Sequence, residues 1–185
     1  MVLGGALYTA PLKEPLYVLD LGTGTGIWAI EMAEEFPAAV VHGTDISPIQ
    51  PEWVPANCHF YIDDVESPWV FKQPFDYIHG RSIGNVIGDW KKFHAEAYDN
   101  LKPGGWLEIQ DFEGYFGCDD DTVPADAWIE RWTRDIDKGG TKFGKNMNII
   151  LNQRQLMTDA GLVNIQSQFF KVSLGLAWLD CANLG

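Results

Sequence analysis

The sequence has few cysteines, few basic residues and no long apolar run. Only three of the 185 residues are Cys, and none of them forms the C-x-x-C pair of zinc or redox motifs. Lys and Arg total 13 against 26 Asp and Glu, and the resulting net charge of −13 argues against binding to a phosphate backbone. No apolar stretch is long enough to span a bilayer, and the N-terminus lacks the basic region of a signal peptide. These absences predict a cytoplasmic or nuclear protein without a nucleic-acid or membrane partner.

The composition is that of an ordinary globular domain. Hydrophobic residues make up 46% of the chain and charged residues 21%. Neither an internal repeat nor a low-complexity linker divides the sequence. We therefore expect one domain over residues 1–185, with its motifs between about residues 7 and 175.

Short apolar runs alternate with segments of helical period along the chain. Strands are predicted over residues 16–21, 39–44, 59–62, 75–79 and 106–111, and residues 163–170 are a candidate sixth strand. Helices are predicted over residues 27–36, 89–101, 125–136 and 149–160. Pro37 and the Pro103-Gly104-Gly105 run are expected to end the first two helices, and Gly161 the last. This order predicts an α/β fold, a mostly parallel sheet with helices on both faces.

The strongest motif is a glycine-rich loop between the first strand and the first helix, Val18-Leu-Asp-Leu-Gly-Thr-Gly-Thr-Gly-Ile-Trp28. Its three glycines, Gly22, Gly24 and Gly26, allow the backbone to turn tightly and to approach a ligand closely. Such a loop lies at the carboxyl ends of the strands, where open parallel sheets bind ligands. Its G-x-G-x-G spacing differs from the G-x-G-x-x-G pattern of dinucleotide-binding proteins.

Three acidic residues accompany this loop. Asp20 stands two residues before the first glycine, Asp45 closes the second strand, and Asp64 follows the third. Carboxylates repel a pyrophosphate and attract an ammonium or sulfonium group, so the pattern predicts a cationic nucleoside as the ligand. A cap or turn role for Asp45 stays open, as does a solvated loop position for Asp64, whose contact Asp63 could supply instead.

These motifs resemble those of a known enzyme family. Leu19-Asp-Leu-Gly-Thr-Gly-Thr-Gly26, the strand-end Asp45, the Asp64-Val65 pair and Leu101-Lys-Pro-Gly-Gly-Trp106 resemble class I S-adenosylmethionine-dependent methyltransferases. Leu7-Tyr-Thr-Ala-Pro11, Gly43-Thr-Asp-Ile-Ser-Pro-Ile-Gln-Pro51 and Trp106-Leu-Glu-Ile-Gln-Asp111 look like the fungal LaeA-type subfamily, which regulates secondary metabolism. The resemblance implies a Rossmann-like fold and S-adenosyl-L-methionine as the cofactor.

The resemblance also implies a cofactor-binding set, which consists of Asp20, Gly22, Gly24, Gly26, Asp45, Ile46, Asp64 and Val65. The glycines would approach the methionine part of the cofactor, and Asp20 would orient both the loop and the ammonium. Asp45 would hold the ribose hydroxyls, and Ile46 would lie against the adenine face. The Asp64-Val65 pair would contact the adenine edge.

Candidates for the methyl-acceptor side follow the fourth and fifth strands. Methyl transfer mainly requires alignment in a dry site, and a base only where the acceptor must lose a proton. His79 is a candidate base, Arg81 a candidate partner for an acceptor carboxylate, and Asp111 a candidate for orienting the nucleophile. A structural role stays open for His79 and for Arg81. No metal site is predicted, because Asp119-Asp-Asp121 lacks the spacing of a calcium loop and is expected to be solvated.

Two parts of the family pattern are missing. Family members usually carry a helical segment ahead of the Leu7-Tyr8 region and a seventh, antiparallel strand beside the sixth. We therefore expect a domain truncated at both ends, with an exposed sheet edge. The predicted function is methyl transfer to an unknown acceptor, linked to regulation of secondary metabolism. The alternative is a catalytically weak cofactor-binding regulator that acts through a protein partner, and a dehydrogenase is disfavoured by Asp20 and the loop spacing.

Overall fold

The computed structural model of the protein describes residues 3–112, 124, 126–145 and 149–172. Five strands are described: β1 (Tyr17–Leu21), β2 (Val40–Asp45), β3 (Cys58–Ile62), β4 (Phe75–Arg81) and β5 (Leu101–Gln110). The helices are α1 (Ile27–Glu35), α2 (Trp90–Asp99), α3 (Trp128–Lys142) and α4 (Gln153–Asp159), the last preceded by a 3-10 turn over Ile149–Asn152.

The described strands form one parallel sheet in the order β3-β2-β1-β4-β5. The chain moves outward from β1 to β3 on one side and from β4 to β5 on the other. The carboxyl edge between β1 and β4 is therefore the point where the strand order reverses, which is the usual ligand position in open α/β sheets. This topology confirms the predicted Rossmann-like fold.

Helices pack on both faces of the sheet, as predicted. On one face, Trp28, Ala29, Met32 and Ala33 of α1 pack against Val18, Val41 and Tyr77. On the other face, Trp90, Phe93 and Ala97 of α2 pack against Leu19, Leu21 and Ile78. The N-cap of α2 is Asp89, whose Oδ1 accepts a hydrogen bond from the Lys92 N–H at 3.0 Å. Burial of these apolar side chains fixes the strand ends that carry the candidate site.

The start of β5 differs from the prediction. The Pro103-Gly104-Gly105 run does not separate α2 from the strand, because β5 already begins at Leu101. Phe75 pairs with Leu101 and Tyr77 with Trp106, so the run lies within a bulge of β5. Gly104 has a φ of +83°, a conformation that glycine adopts without strain. Because Pro103 lies in this unpaired bulge, it costs no ladder hydrogen bond.

The candidate sixth strand is not formed. Residues 163–170 have no regular secondary structure, and Val163 and Phe169 are each 78% exposed. The Arg154 guanidinium donates to the Ile165 carbonyl at 2.8 Å and to Ser167 Oγ at 3.1 Å. Since no described strand lies beside this segment, a side chain of α4 satisfies its backbone instead of a sheet partner.

The end of α4 agrees with the prediction, because Gly161 follows the helix with a φ of +96°. Two predictions lie outside the described residues, namely the start of the α3 stripe at Ala125 and the solvated loop Asp119-Asp-Asp121. In the part of the chain that the structure describes, no helix is both long enough and apolar enough to cross a bilayer.

Candidate functional site

Hydrogen bonds hold the glycine loop against the carboxyl end of β2. The Thr23 N–H donates to the Thr44 carbonyl at 2.9 Å, and the Gly24 N–H donates to Asp45 Oδ2 at 2.8 Å. The Gln50 side-chain amide donates to the Gly24 carbonyl at 2.6 Å. Both backbone polar groups of Gly24 are therefore held by the β2 end and the loop that follows it.

The three loop glycines are needed for different reasons. All have a positive φ, +64° at Gly22, +58° at Gly24 and +80° at Gly26. A Cβ at Gly26 would lie 2.4 Å from the Phe60 ring, and one at Gly22 would lie 2.9 Å from Ile83. A Cβ at Gly24 would meet nothing within 4 Å. Packing of the protein itself excludes side chains at the outer two positions, whereas Gly24 opens onto free space that a ligand can approach.

Asp45 is half-buried beside this open backbone. Its Oδ2 accepts from Gly24, and its Oδ1 accepts from the Ser47 N–H at 2.9 Å. Because an ionised carboxylate offers about four acceptor sites, each oxygen can accept a further hydrogen bond. The next residue, Ile46, is 68% exposed. The two Asp45 oxygens, each with an unused acceptor site, thus lie next to the exposed apolar side chain of Ile46. This arrangement suits a nucleoside, whose ribose carries two neighbouring hydroxyls.

Asp20 lies beneath the loop rather than in the open space. Its side chain is 4% exposed. Oδ2 accepts from the Thr23 hydroxyl at 2.6 Å, and Oδ1 contacts His79 Nδ1 at 2.7 Å. This placement fits the predicted orientation of the loop. Each oxygen has one partner and the side chain is enclosed, and contact of Asp20 with a cofactor ammonium stays a prediction.

His79 lies in the interior beneath α1, and its role as a base stays a prediction. Asp20 and His79 are register partners on β1 and β4, and the imidazole is fully buried. The ring stacks on the Trp28 indole with the centroids 3.8 Å apart and the planes 8° apart. The β4 register therefore turns this side chain into the core under α1.

The other two acceptor-side candidates lie at the ends of their strands. Arg81 ends β4 and is exposed. Asp111 is half-buried, and its carboxylate accepts from the Gly84 N–H at 2.5 Å and from the Phe112 N–H at 2.9 Å. Burial raises the pKa of Asp111, although these N–H groups oppose the shift. Asp111 therefore holds the loop after β4, and an acceptor role for either residue stays a prediction.

The Asp64-Val65 pair lies in a turn after β3. Asp64 is exposed, and its Oδ1 accepts from the Glu66 N–H at 2.9 Å. Val65 is one wall of a cavity of about 270 Å³, which is lined by Val65, Glu66, Ile87, Asp89, Lys92, Phe93 and Glu96. None of these lining residues belongs to the glycine loop. The contact of this pair with an adenine edge therefore stays a prediction.

Glu108 was not identified from the sequence, yet it organises the neighbouring N-terminal segment. Its Oε2 accepts from the Thr9 N–H at 2.9 Å, from the Ala10 N–H at 2.9 Å and from the Tyr77 hydroxyl at 3.0 Å. Burial opposes ionisation, but the bonds from Thr9, Gln110 and Ala10 lower the pKa of Glu108 overall. The one available signal was an acid between the apolar residues Leu107 and Ile109.

Three further residues support the loop without having been predicted, namely Thr23, Gln50 and Phe60. Thr23 lies inside the motif, and its hydroxyl is the donor to Asp20. Among the described residues, no group of three or more His, Cys, Asp or Glu is arranged to hold a metal ion.

The family is decided by sequence comparison. A family model described as a methyltransferase domain matches residues 5–167. The chain belongs to this methyltransferase family. It is 39% identical over 176 residues to methyltransferase pytC of Aspergillus terreus, covering 94% of this chain and 54% of that protein. It is 35% identical over 175 residues to the secondary metabolism regulator LAE1 of Cochliobolus heterostrophus, covering 91% and 57%. The chain spans about half the length of these relatives.

Solved methyltransferases share the fold. One is phosphoethanolamine N-methyltransferase 2 of Haemonchus contortus, solved in complex with phosphomonomethylethanolamine and S-adenosylhomocysteine. Its TM-score is 0.62 and its sequence identity 22%, and the match covers 85% of this chain and 35% of that one. Another is a methyltransferase of Haloferax volcanii in complex with the Trm112 activator, with a TM-score of 0.60 and 18% identity over 87% and 67%. Because the sequence identities are below 25%, the structural similarity to these two proteins establishes the fold alone.

Proposed function

We propose that this chain is an S-adenosyl-L-methionine-dependent methyltransferase domain that binds its cofactor over Gly24 and Asp45. The single observation that carries the proposal is the open face of Gly24, where a Cβ would meet nothing within 4 Å. That face adjoins a carboxylate with unused acceptor sites. Membership of the methyltransferase family supplies the class of reaction.

The residues present fit such a cofactor. Gly24 allows the backbone to lie against the methionine part, and Asp45 accepts hydrogen bonds from the two ribose hydroxyls. Ile46, which is exposed beside them, covers one face of the adenine. When bound, the cofactor supplies a methyl group on a sulfonium, an electrophile with its leaving group in place. The positive charge is favoured by Asp45 and by the net charge of −13.

The acceptor binds at the edge formed by the ends of β4 and β5. Because methyl transfer is a displacement, the chain has to align the acceptor with the methyl group and exclude water. Arg81, exposed at the end of β4, attracts an acceptor that carries an anionic group. Similarity to the secondary metabolism regulator LAE1 supports a role in fungal secondary metabolism, and similarity to the methyltransferase pytC supports the class of reaction. The acceptor is a small molecule or a protein.

Calorimetry with S-adenosylhomocysteine tests the cofactor assignment. The Asp45→Ala variant should bind about 1.5–3 kcal/mol more weakly, because charged hydrogen bonds are lost. Asp99→Ala is the matched control, since it removes an exposed carboxylate at the end of α2 and should leave affinity unchanged. An Asp45→Ala variant with the affinity of the parent chain would remove Asp45 from the site.

A second measurement separates the enzyme from its alternatives. Release of methyl groups from labelled S-adenosylmethionine to an acceptor supports the enzyme. Binding of the cofactor without methyl release, when fungal metabolite extracts and fungal protein extracts are both offered as acceptors, supports the regulator. Preference for NAD over S-adenosylhomocysteine would contradict both and favour a dehydrogenase.

A further inference from the structure

A row of three ionisable side chains crosses the face of the sheet beneath α1. Asp20 on β1 is the register partner of His79 on β4, and His79 is the register partner of Glu108 on β5. Asp20 and His79 are buried and Glu108 is half-buried. Buried ionisable groups are costly unless they are hydrogen-bonded, so their presence here needs a reason. Asp20 connects to the glycine loop and Glu108 to the N-terminal segment, with His79 between them.

His79 has two well-defined contacts. Its Nδ1 lies 2.7 Å from Asp20 Oδ1, and because a carboxylate oxygen accepts, Nδ1 carries the hydrogen. Its ring stacks on Trp28, whose indole N–H donates to the Leu7 carbonyl at 2.9 Å. Among the described residues, the buried Nε2 has no hydrogen-bond partner. The imidazole is thus oriented by Asp20 and Trp28.

Asp20 passes this orientation to the loop. Its second oxygen accepts from the Thr23 hydroxyl at 2.6 Å, and the Thr23 N–H bonds to the end of β2. Thr23 directly precedes Gly24, the residue that opens onto the cofactor space. If Asp20 loses its bond to His79, one oxygen of a buried carboxylate is left without a donor, which favours rotation of the carboxylate away from Thr23.

We propose that His79 is a positioning residue for the cofactor loop, which fixes Asp20 and through it Thr23 and Gly24. The inference rests on the proposed function, since it names what sets the cofactor affinity of that same site. His79 touches neither the cofactor space nor the acceptor edge, and its effect passes entirely through Asp20.

Two substitutions separate positioning from core filling. His79→Asn keeps a side-chain N–H near the position of Nδ1 but loses the ring against Trp28. His79→Phe keeps the ring but has no donor for Asp20. Positioning predicts that His79→Phe binds S-adenosylhomocysteine at least tenfold more weakly, whereas His79→Asn stays within about threefold of the parent chain although its melting temperature is lower. Core filling predicts the opposite order of affinities.

The matched control is Tyr77→Phe. Tyr77 lies two residues before His79 on the same face of β4, and its hydroxyl bonds to Glu108 rather than to Asp20. This variant loses a buried hydrogen bond without disturbing the loop, so its cofactor affinity should equal that of the parent chain. A tenfold loss in Tyr77→Phe would overturn the proposal, because any defect under α1 would then suffice.

The outcomes distinguish this inference from the proposed function. A parent chain that fails to bind S-adenosylhomocysteine refutes the proposed function itself. Binding by the parent chain and equally tight binding by His79→Phe refutes only the positioning role.

If His79→Phe fails to fold, Thr23→Val tests the same chain of hydrogen bonds from the loop side. The affinity of Thr23→Val for S-adenosylhomocysteine should fall tenfold, and an unchanged affinity would contradict the positioning role. A downfield Nδ1 proton resonance of His79 that disappears in Asp20→Asn is the expected spectroscopic signature, and its absence from the parent chain would overturn the inference.

Discussion

Alanine substitution at Gly26 should mainly reduce stability, whereas alanine substitution at Gly24 should mainly reduce ligand binding. Both residues adopt a left-handed backbone conformation, with φ of +58° and +80°. A side chain in that conformation costs about 1–2 kcal/mol. This backbone strain is common to both substitutions, so the difference between them isolates what each added methyl group meets.

At Gly26 the added Cβ meets the protein itself. It would lie 2.4 Å from Phe60 Cζ and 2.8 Å from Cε1, closer than non-bonded atoms approach. Because Phe60 packs against the core beneath α1, its ring must shift, and overpacking of this kind costs about 1–3 kcal/mol. Together with the strain, Gly26→Ala should lose about 2–5 kcal/mol of unfolding free energy.

At Gly24 the Cβ meets no protein atom within 4 Å, so Gly24→Ala should lose only the strain of about 1–2 kcal/mol. The methyl group instead occupies the space assigned to the cofactor, so the affinity for S-adenosylhomocysteine should fall at least tenfold, or about 1.4 kcal/mol. Urea unfolding measures the stability of both variants, and calorimetry measures their affinity.

A double-mutant cycle with Phe60→Leu provides the control. The smaller side chain should relieve the overlap in Gly26→Ala, with a coupling of about 0.5–3 kcal/mol, and should show no coupling with Gly24→Ala. A Gly26→Ala variant as stable as Gly24→Ala would contradict the predicted overlap with Phe60. A Gly24→Ala variant that binds as tightly as the parent chain would contradict the cofactor space at Gly24.

Two further predictions concern the half-buried Glu108 and the buried His94. Glu108→Gln should lower the unfolding free energy by about 1.5–3 kcal/mol and speed proteolysis of residues 7–10, because the Thr9 and Ala10 N–H groups lose a charged acceptor; unchanged proteolysis would contradict it. Burial lowers the pKa of His94 below 6.5, although its bond to Gln153 opposes the shift. As the pH falls, His94 therefore takes up a proton in the unfolded chain before it does so in the folded chain. The unfolding free energy should consequently decrease as the pH drops below 6.5. His94→Phe should flatten the pH dependence of unfolding just below that value, and an unchanged slope would exclude His94 as its source.

Local signals were sufficient to predict the elements that position the site. Pro37 follows the end of α1, and Asp89 caps α2, as the sequence indicated. Two departures from the prediction depend on neighbours in the sheet. The Pro103-Gly104-Gly105 run is absorbed as a bulge at an edge, and residues 163–170 have no described strand to pair with. An apolar pattern favours a strand, but it carries no information on whether a partner strand is there.

The candidate site was predicted in part for the same reason. Spacing alone placed the glycines and Asp45 at one edge, because parallel strands end there together. The contact between His79 and Asp20 could not be predicted without the register of β1 against β4, because the two residues are 59 positions apart in the sequence. A polar residue at a strand end is exposed or buried according to the face that the register gives it. The register depends on pairing between strands that are far apart in the sequence, so no local sequence pattern predicts it.

The hydrogen bonds around Gly24 also disfavour a pyrophosphate at this residue, and they do so more directly than the number of nearby acids. Phosphate-binding loops present unused backbone N–H groups to the anion. Here the N–H groups of Thr23, Gly24 and Gly26 already donate to the Thr44 carbonyl, the Asp45 carboxylate and the Thr23 carbonyl. A pyrophosphate bound at the Gly24 N–H would have to displace Asp45 and would then meet its negative charge. A nucleoside without phosphates needs no such displacement, because the remaining acceptor sites of Asp45 can take its ribose hydroxyls while the Gly24 bond stays intact.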